Sequence, residues 1–176
     1  MNVRSILRAA ESASVVDRPA GVVAGVVRRV LGRSWLDKVL RGSWLGHPVH
    51  PLLVAVPIGA WLSAALFDYA GERRPARQLV ALGLAATPPT VLVGLADFGE
   101  LNAEQRRVGL LHASANLVST GFFLNSYLCR LRRRHTAGVV WSSFGLLALG
   151  VGGALGGHLS YAQGAGVHRW TVQEAP

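Results

Sequence analysis

Cysteine is all but missing from this 176-residue chain. Cys129 stands alone, so no disulfide closes within the chain and no structural zinc site can be built on thiolates. Carboxylates are scarce as well. Nine Asp and Glu face eighteen Lys and Arg, a net charge of +9. That balance alone would suggest nucleic acid, but the arginines gather between apolar runs, at Arg73, Arg74 and Arg77 and again at Arg130, Arg132, Arg133 and Arg134. Flanking a membrane explains this placement more simply, and no nucleic-acid partner is expected. No CxxCH, HExxH or paired CxxC occurs, and the glycines of the last apolar run do not follow a strand, which removes nucleotide-binding loops. No catalytic serine or carboxylate pair can be argued, and whether the chain is an enzyme stays undecided. The N-terminus lacks the continuous apolar region of a cleavable signal, because Arg4 and Arg8 are followed by Glu11, Ser12, Ser14 and Asp17. Insertion is expected to be driven by the later helices.

Charge is also absent from long stretches. Pro51 to Phe67, Leu79 to Ala96 and Val108 to Leu128 carry none, and Thr136 to Val167 contains no Asp, Glu, Lys or Arg. With 51% hydrophobic residues and only 15% charged, such blocks predict membrane spans rather than soluble core helices. The expected spans are Pro51–Tyr69, about Leu79–Phe98, Val108–Leu128 and about Ala137–Leu159. The expectation is an all-α, integral membrane, up-and-down four-helix bundle with an N-terminal amphipathic interfacial helix. Its parts would be a tail and surface helix over 1–45, a membrane domain over 46–168 and a tail over 169–176.

The entry to the first span organises the rest. In Gly46-His47-Pro48-Val49-His50-Pro51 the prolines disfavour a helical residue before them, so His50 reads as the N-cap and Pro51 as the first helical residue. Before it, the pairs Val22-Val23, Val26-Val27 and Val30-Leu31, then Leu36, Val39, Leu40 and Trp44, form apolar stripes flanked by Arg28, Arg29, Arg33, Lys38 and Arg41. This predicts one or two helices over 20–45 lying on the membrane surface, with Trp35 and Trp44 at headgroup level. Docking on a soluble partner is the alternative. Pro57 and Pro88-Pro89 predict kinks, the second needing Thr87, Thr90 or a neighbouring helix to satisfy the freed carbonyls. Gly71-Glu72-Arg73-Arg74-Pro75 reads as a turn, and Glu100, Glu104, Arg106 and Arg107 as a short loop.

Four antiparallel spans bring the start of the first, the end of the second, the start of the third and the end of the fourth to one leaflet. His47 and His50, Asp97, His112 and His158 mark those ends. Asn116 falls one turn after His112 on the same face. An imidazole in hydrocarbon needs a partner. Histidines from two helices would hold a haem b, with Gly153 and Gly157, in the overlapping GxxxG patterns, giving the porphyrin room. Alternatively His50, His112, His158 and Asp97 would bind a divalent metal. Each residue also has a plainer role. The histidines can be interfacial side chains, Asp97 can cap a turn or pair with Arg106 or Arg107, and the glycines can pack helix on helix. His135 and His168 read as solvated.

The residues Gly46-His47-Pro48-Val49-His50-Pro51, Val56-Pro57-Ile58-Gly59-Ala60, Asp68, Gly94-Leu95-Ala96-Asp97, His112 with Asn116, and Gly156-Gly157-His158-Leu159 with Tyr161 and Gly164 carry a resemblance. The chain resembles, over roughly residues 38–168, the bacterial four-span membrane proteins grouped as domain of unknown function 2231. The resemblance implies a small helical bundle in the bacterial inner membrane, with no agreed activity. Some relatives join this unit to a Rieske-type iron–sulfur domain, which implies work near electron transfer. Here a Rieske-type or other redox partner is expected to be a separate protein, and a homo-oligomer is left open.

Counting Lys and Arg, seven lie in the two turns on one side and eleven on the side of the termini, which favours cytoplasmic termini. The leading expectation is a haem- or metal-binding membrane protein for electron transfer or redox sensing. A non-enzymatic scaffold or small carrier with structural histidines is the alternative. A third reading, an enzyme acting on a lipid or quinone, rests on Trp61, Tyr161 and Trp170.

Overall fold

The computed structural model describes residues 2–32 and 34–167. The expectations attached to Arg33, His168, Arg169 and Trp170 lie outside them. Every element among the described residues is helical: α1 (Val3–Glu11), a 3-10 turn (Ser14–Val16), α2 (Asp17–Leu31), α3 (Trp35–Arg41), α4 (His50–Tyr69), α5 (Arg73–Phe98), α6 (Ala103–Leu131), α7 (His135–Gly157) and a π-helical turn (His158–Ala162). Three of them, α4, α5 and α7 with its π-turn, are long and apolar enough to cross a membrane. At 29 residues α6 is long enough but carries His112, Ser114, Asn116, Ser119, Thr120, Asn125 and Ser126 along its length.

Helix boundaries follow local chemistry that the apolar runs conceal. Glu104, Arg106 and Arg107 are not in a loop but in the first turns of α6. Asn102 caps that helix reciprocally: Gln105 N donates to Asn102 Oδ1 at 2.9 Å and Asn102 N to Gln105 Oε1 at 3.1 Å, a capping box written in Asn102-Ala103-Glu104-Gln105. Likewise Arg73, Arg74 and Pro75 begin α5 rather than ending a turn, since a proline in the first turn gives up no intrahelical bond. Asn2 and Ser34 cap α1 and α3. α1 itself was not expected from the sequence.

The helices preceding the two Arg-rich turns stop in the same way. Glu72 N reaches Phe67 O and Gly71 N reaches Asp68 O; Arg134 N reaches Cys129 O and Arg133 N reaches Arg130 O. Both are Schellman closures, which put one residue in the left-handed region. At the first it is Gly71, φ +80°; at the second it is Arg133, φ +59°.

The chain divides into two compact units. One comprises Leu52–Val91 and His112–Ala154. Its core joins Trp61 of α4, Val80 of α5, Phe123 of α6 and Leu149 of α7. The Trp61 and Phe123 rings stack with centroids 4.0 Å apart and planes 10° from parallel. Two glycines make that stack fit: a Cβ on Gly83 would strike the Trp61 indole, and one on Gly145 would come within 2.8 Å of the Phe123 ring. α5 continues through Pro88 and Pro89. The carbonyls deprived of partners are those of Leu84 and Ala85, whereas Thr87 and Thr90 hydroxyls donate to Gly83 O and Ala86 O, at 2.9 and 2.8 Å. The threonines therefore brace the carbonyls on either side, not the freed ones.

The second unit comprises residues up to Pro51, Leu92–Leu111, and those from Leu155 onward. Ala20 and Ala24 of α2 pack on Phe98 and Leu101, and Ala10 of α1 packs with Val108 and Leu155. In α2 the inward face is thus Ala20, Ala24 and Val27, while Val22, Val26 and Val30 are exposed. α3 is more extreme. Asp37 and Arg41 are buried, with Arg41 Nε donating to Asp37 Oδ1 at 2.7 Å, and Arg41 Nη1 lies 3.1 Å from Glu100. Trp35, Leu36, Val39 and Trp44 face outward.

Candidate functional site: imidazoles and their partners

His112 lies on α6 with both ring nitrogens engaged. Its Nδ1 is 2.8 Å from Gly152 O on α7. A carbonyl only accepts, so Nδ1 carries the proton and the lone pair of the neutral ring sits on Nε2. Asn116, one turn along, places Nδ2 3.3 Å from Nε2 and also 3.0 Å from the His112 carbonyl. Gly152 is needed for this approach, because a Cβ there would lie 2.6 Å from Asn116 Oδ1. Backbone, imidazole and amide thus form one polar contact between α6 and α7.

In the other unit His158 opens the π-turn, and its Nε2 lies 2.8 Å from Glu11 Oε1. The same oxygen accepts from Gln163 Nε2 at 3.3 Å. α1 is further tied by Arg107, whose Nη1 donates to Glu11 O at 3.0 Å while its Nε and Nη2 grip both oxygens of Asp17 at 2.6 and 2.8 Å. That guanidinium holds the Asp17 carboxyl below its ordinary value. Sequence reasoning missed these pairs because it took residues 1–19 as a tail. His50 rests against Gly94, where an added Cβ would come 2.8 Å from the ring. His47 is exposed in the loop before α4, and Asp97 is half-buried near the end of α5. Arg106 turns its Nε to Asn102 O instead.

The expected glycine roles separate. Gly145 and Gly152 pack closely, whereas a Cβ on Gly153 or Gly157 would meet nothing within 4 Å. Among the described residues no three His, Cys, Asp or Glu side chains gather closely enough to hold a metal ion.

A buried polar cluster in this first unit was not expected. Asp68 receives both ends of the Arg130 guanidinium, at 2.7 and 2.5 Å. Arg130 Nε donates to Ser126 Oγ at 3.1 Å, and Ser126 Oγ is 2.7 Å from Ser142 Oγ. The Arg130 and Asp68 side chains are 1% and 6% exposed. His135, expected to be solvated, is only 20% exposed and lies 3.4 Å from Asp68. The signal available in sequence was helical spacing: Ser126 and Arg130 share a face, and Asp68 closes an otherwise uncharged helix.

Compared with known proteins, residues 46–169 match the family described as predicted membrane protein (DUF2231). No curated protein and no solved structure matches the chain.

Proposed function

We propose, for a chain that belongs to the DUF2231 family of predicted membrane proteins, that α4–α7 cross the bacterial inner membrane as an up-and-down four-helix bundle and that His112 ligates a redox group, haem b or a divalent metal, for electron transfer or redox sensing. The core shared by α4, α5, α6 and α7 supports counting polar α6 as a span, since polar side chains are admitted where they face other helices. The outward tryptophans and buried ion pair of α3 support an N-terminal segment resting in the headgroup layer, because water would favour the opposite arrangement.

The observation that carries the redox reading is the bond from His112 Nδ1 to Gly152 O. A backbone carbonyl on one imidazole nitrogen fixes ring and tautomer and leaves Nε2 as the basic nitrogen, as second-shell partners do for ligand histidines. Asn116 must swing off Nε2 for a ligand to bind. Haem is favoured over a protein-held metal ion, which takes three or more side chains. When bound, it would supply one-electron transfer. A separate Rieske-type or other redox protein is the partner this reading implies.

A scaffold is the second reading, supported by Glu11 on His158 and by Asn116 lying 3.3 Å from both nitrogens of His112. Protein expressed with haem and metals supplied and purified in detergent separates the two. The first reading expects a Soret band or stoichiometric metal, lost in His112→Ala. Colourless, metal-free, folded protein whose His112→Ala variant only melts earlier supports the scaffold.

A further inference from the structure

The two turns that follow α4 and α6 stand side by side, bridged by the Asp68–Arg130 pair. Arg73 lies within electrostatic reach of His135. Around them are six further arginines, Arg73, Arg74, Arg77, Arg132, Arg133 and Arg134, five exposed and Arg77 half-exposed. Asp68 is taken up by Arg130, which leaves Glu72 as the carboxylate of the turns themselves. Some arginines elsewhere have found partners: Arg28 on Gly99 O, Arg41 on Asp37 and Glu100, Arg107 on Asp17. Among the described residues, none of the six makes a side-chain hydrogen bond or an ion pair.

Arg133 makes the arrangement more specific. It occupies the left-handed position of its Schellman closure, where the twin turn has Gly71. Glycine takes that conformation without steric cost and arginine does not. The second turn thus keeps a cation where helix termination alone would favour its loss.

We propose that the paired turns are a binding site for anionic phospholipid headgroups, the phosphodiester oxygens accepting from guanidinium forks of both turns. Guanidinium matches a phosphate's geometry in a way that an ammonium does not. A lipid is the source favoured over a soluble anion because the turns lie at the ends of helices long and apolar enough to cross a membrane, beside the fully exposed ring of Tyr69. The proposal rests on membrane placement alone and is indifferent to haem.

The test is native mass spectrometry of the full chain in detergent with phosphatidylglycerol or phosphatidylcholine, at low and high salt. Wild type should retain phosphatidylglycerol roughly tenfold better than phosphatidylcholine, the preference falling with salt. Arg73→Gln/Arg74→Gln/Arg132→Gln/Arg133→Gln should abolish it, while Arg4→Gln/Arg8→Gln, on α1, should not. Arg133→Gly separates binding from folding: it should melt no earlier than wild type yet retain less phosphatidylglycerol. Equal retention of both lipids by wild type, or unchanged retention by Arg133→Gly together with the quadruple variant, overturns the proposal. Displacement of the lipid by millimolar inorganic phosphate, or by polyglutamate, overturns the lipid assignment in favour of a soluble anion or an acidic partner.

Discussion

The ion pairs of the two units solve different problems. In one, Asp68 and Arg130 meet out of reach of water, each nitrogen of the guanidinium donating to a carboxylate or a serine hydroxyl. In the other, beside the buried Asp37–Arg41 pair of α3, the contacts of Arg107 with Asp17 and of His158 with Glu11 lie partly open, with Asp17 45% and Glu11 33% exposed. A buried charge left alone is far costlier than an exposed one, so the first pair is obligatory once either member is present. These partly open contacts fasten α1 and α2 at modest gain, and the Arg107–Asp17 pair answers to salt and acid.

That contrast is broken most severely at Asp68. Asp68→Asn strands the buried arginine and should cost about 3–5 kcal/mol in detergent unfolding, whereas Asp68→Leu with Arg130→Met should recover most of the loss. Equal destabilisation by the single and double changes would mean that the pair acts otherwise than by compensating charge. Next comes the aromatic stack: Gly83→Ala or Gly145→Ala drives a methyl into Trp61 or Phe123, and overpacking of that kind costs about 1–3 kcal/mol. An unchanged melting temperature would show that the rings have room to move.

The exposed pairs should respond less. Glu11→Gln weakens the tie to His158 by roughly 0.2–1 kcal/mol, read more sensitively as faster proteolysis within α1 than within α7. Acid should discriminate further. Asp17 is held below its ordinary value of 3.8 by Arg107, so the unfolded chain takes up a proton at higher pH than the folded one. Its contribution is therefore complete above that ordinary value and is lost as pH falls through the lower folded one. Lowering the pH from 7 to 5 should leave this contact intact, and Asp17→Asn should remove the dependence seen below it.

Much of this architecture was legible in the sequence and some was not, for identifiable reasons. The uncharged runs located α4, α5 and α7 because hydrocarbon excludes charge along a whole helix, and His50-Pro51 marked the start of α4 within one residue. The runs understated α5 and α6, whose first turns are charged, because a helix that leaves the apolar layer continues until a cap or closure stops it. Asn102 was such a cap and was readable. α1 was not, since nine residues with mixed polarity acquire stability only from Ala10 packing on Val108 and Leu155. The apolar stripe of α2 was legible, but only part of it turns toward the core: Ala20, Ala24 and Val27 are buried, whereas Val22, Val26 and Val30 stay exposed. His112 and Asn116 were placed on one face correctly by period. That Gly152 would supply the carbonyl depends on helix register, which no periodicity within one segment reveals.

The most direct test of the central claim is a haem titration into purified, cofactor-free protein, following the Soret band for wild type and His112→Ala. A saturable transition near one haem per chain that His112→Ala abolishes, while circular dichroism stays the same, is the predicted result. Identical titrations for both proteins, or no saturable spectral change in well-folded wild type, would contradict the assignment of His112 as a ligand.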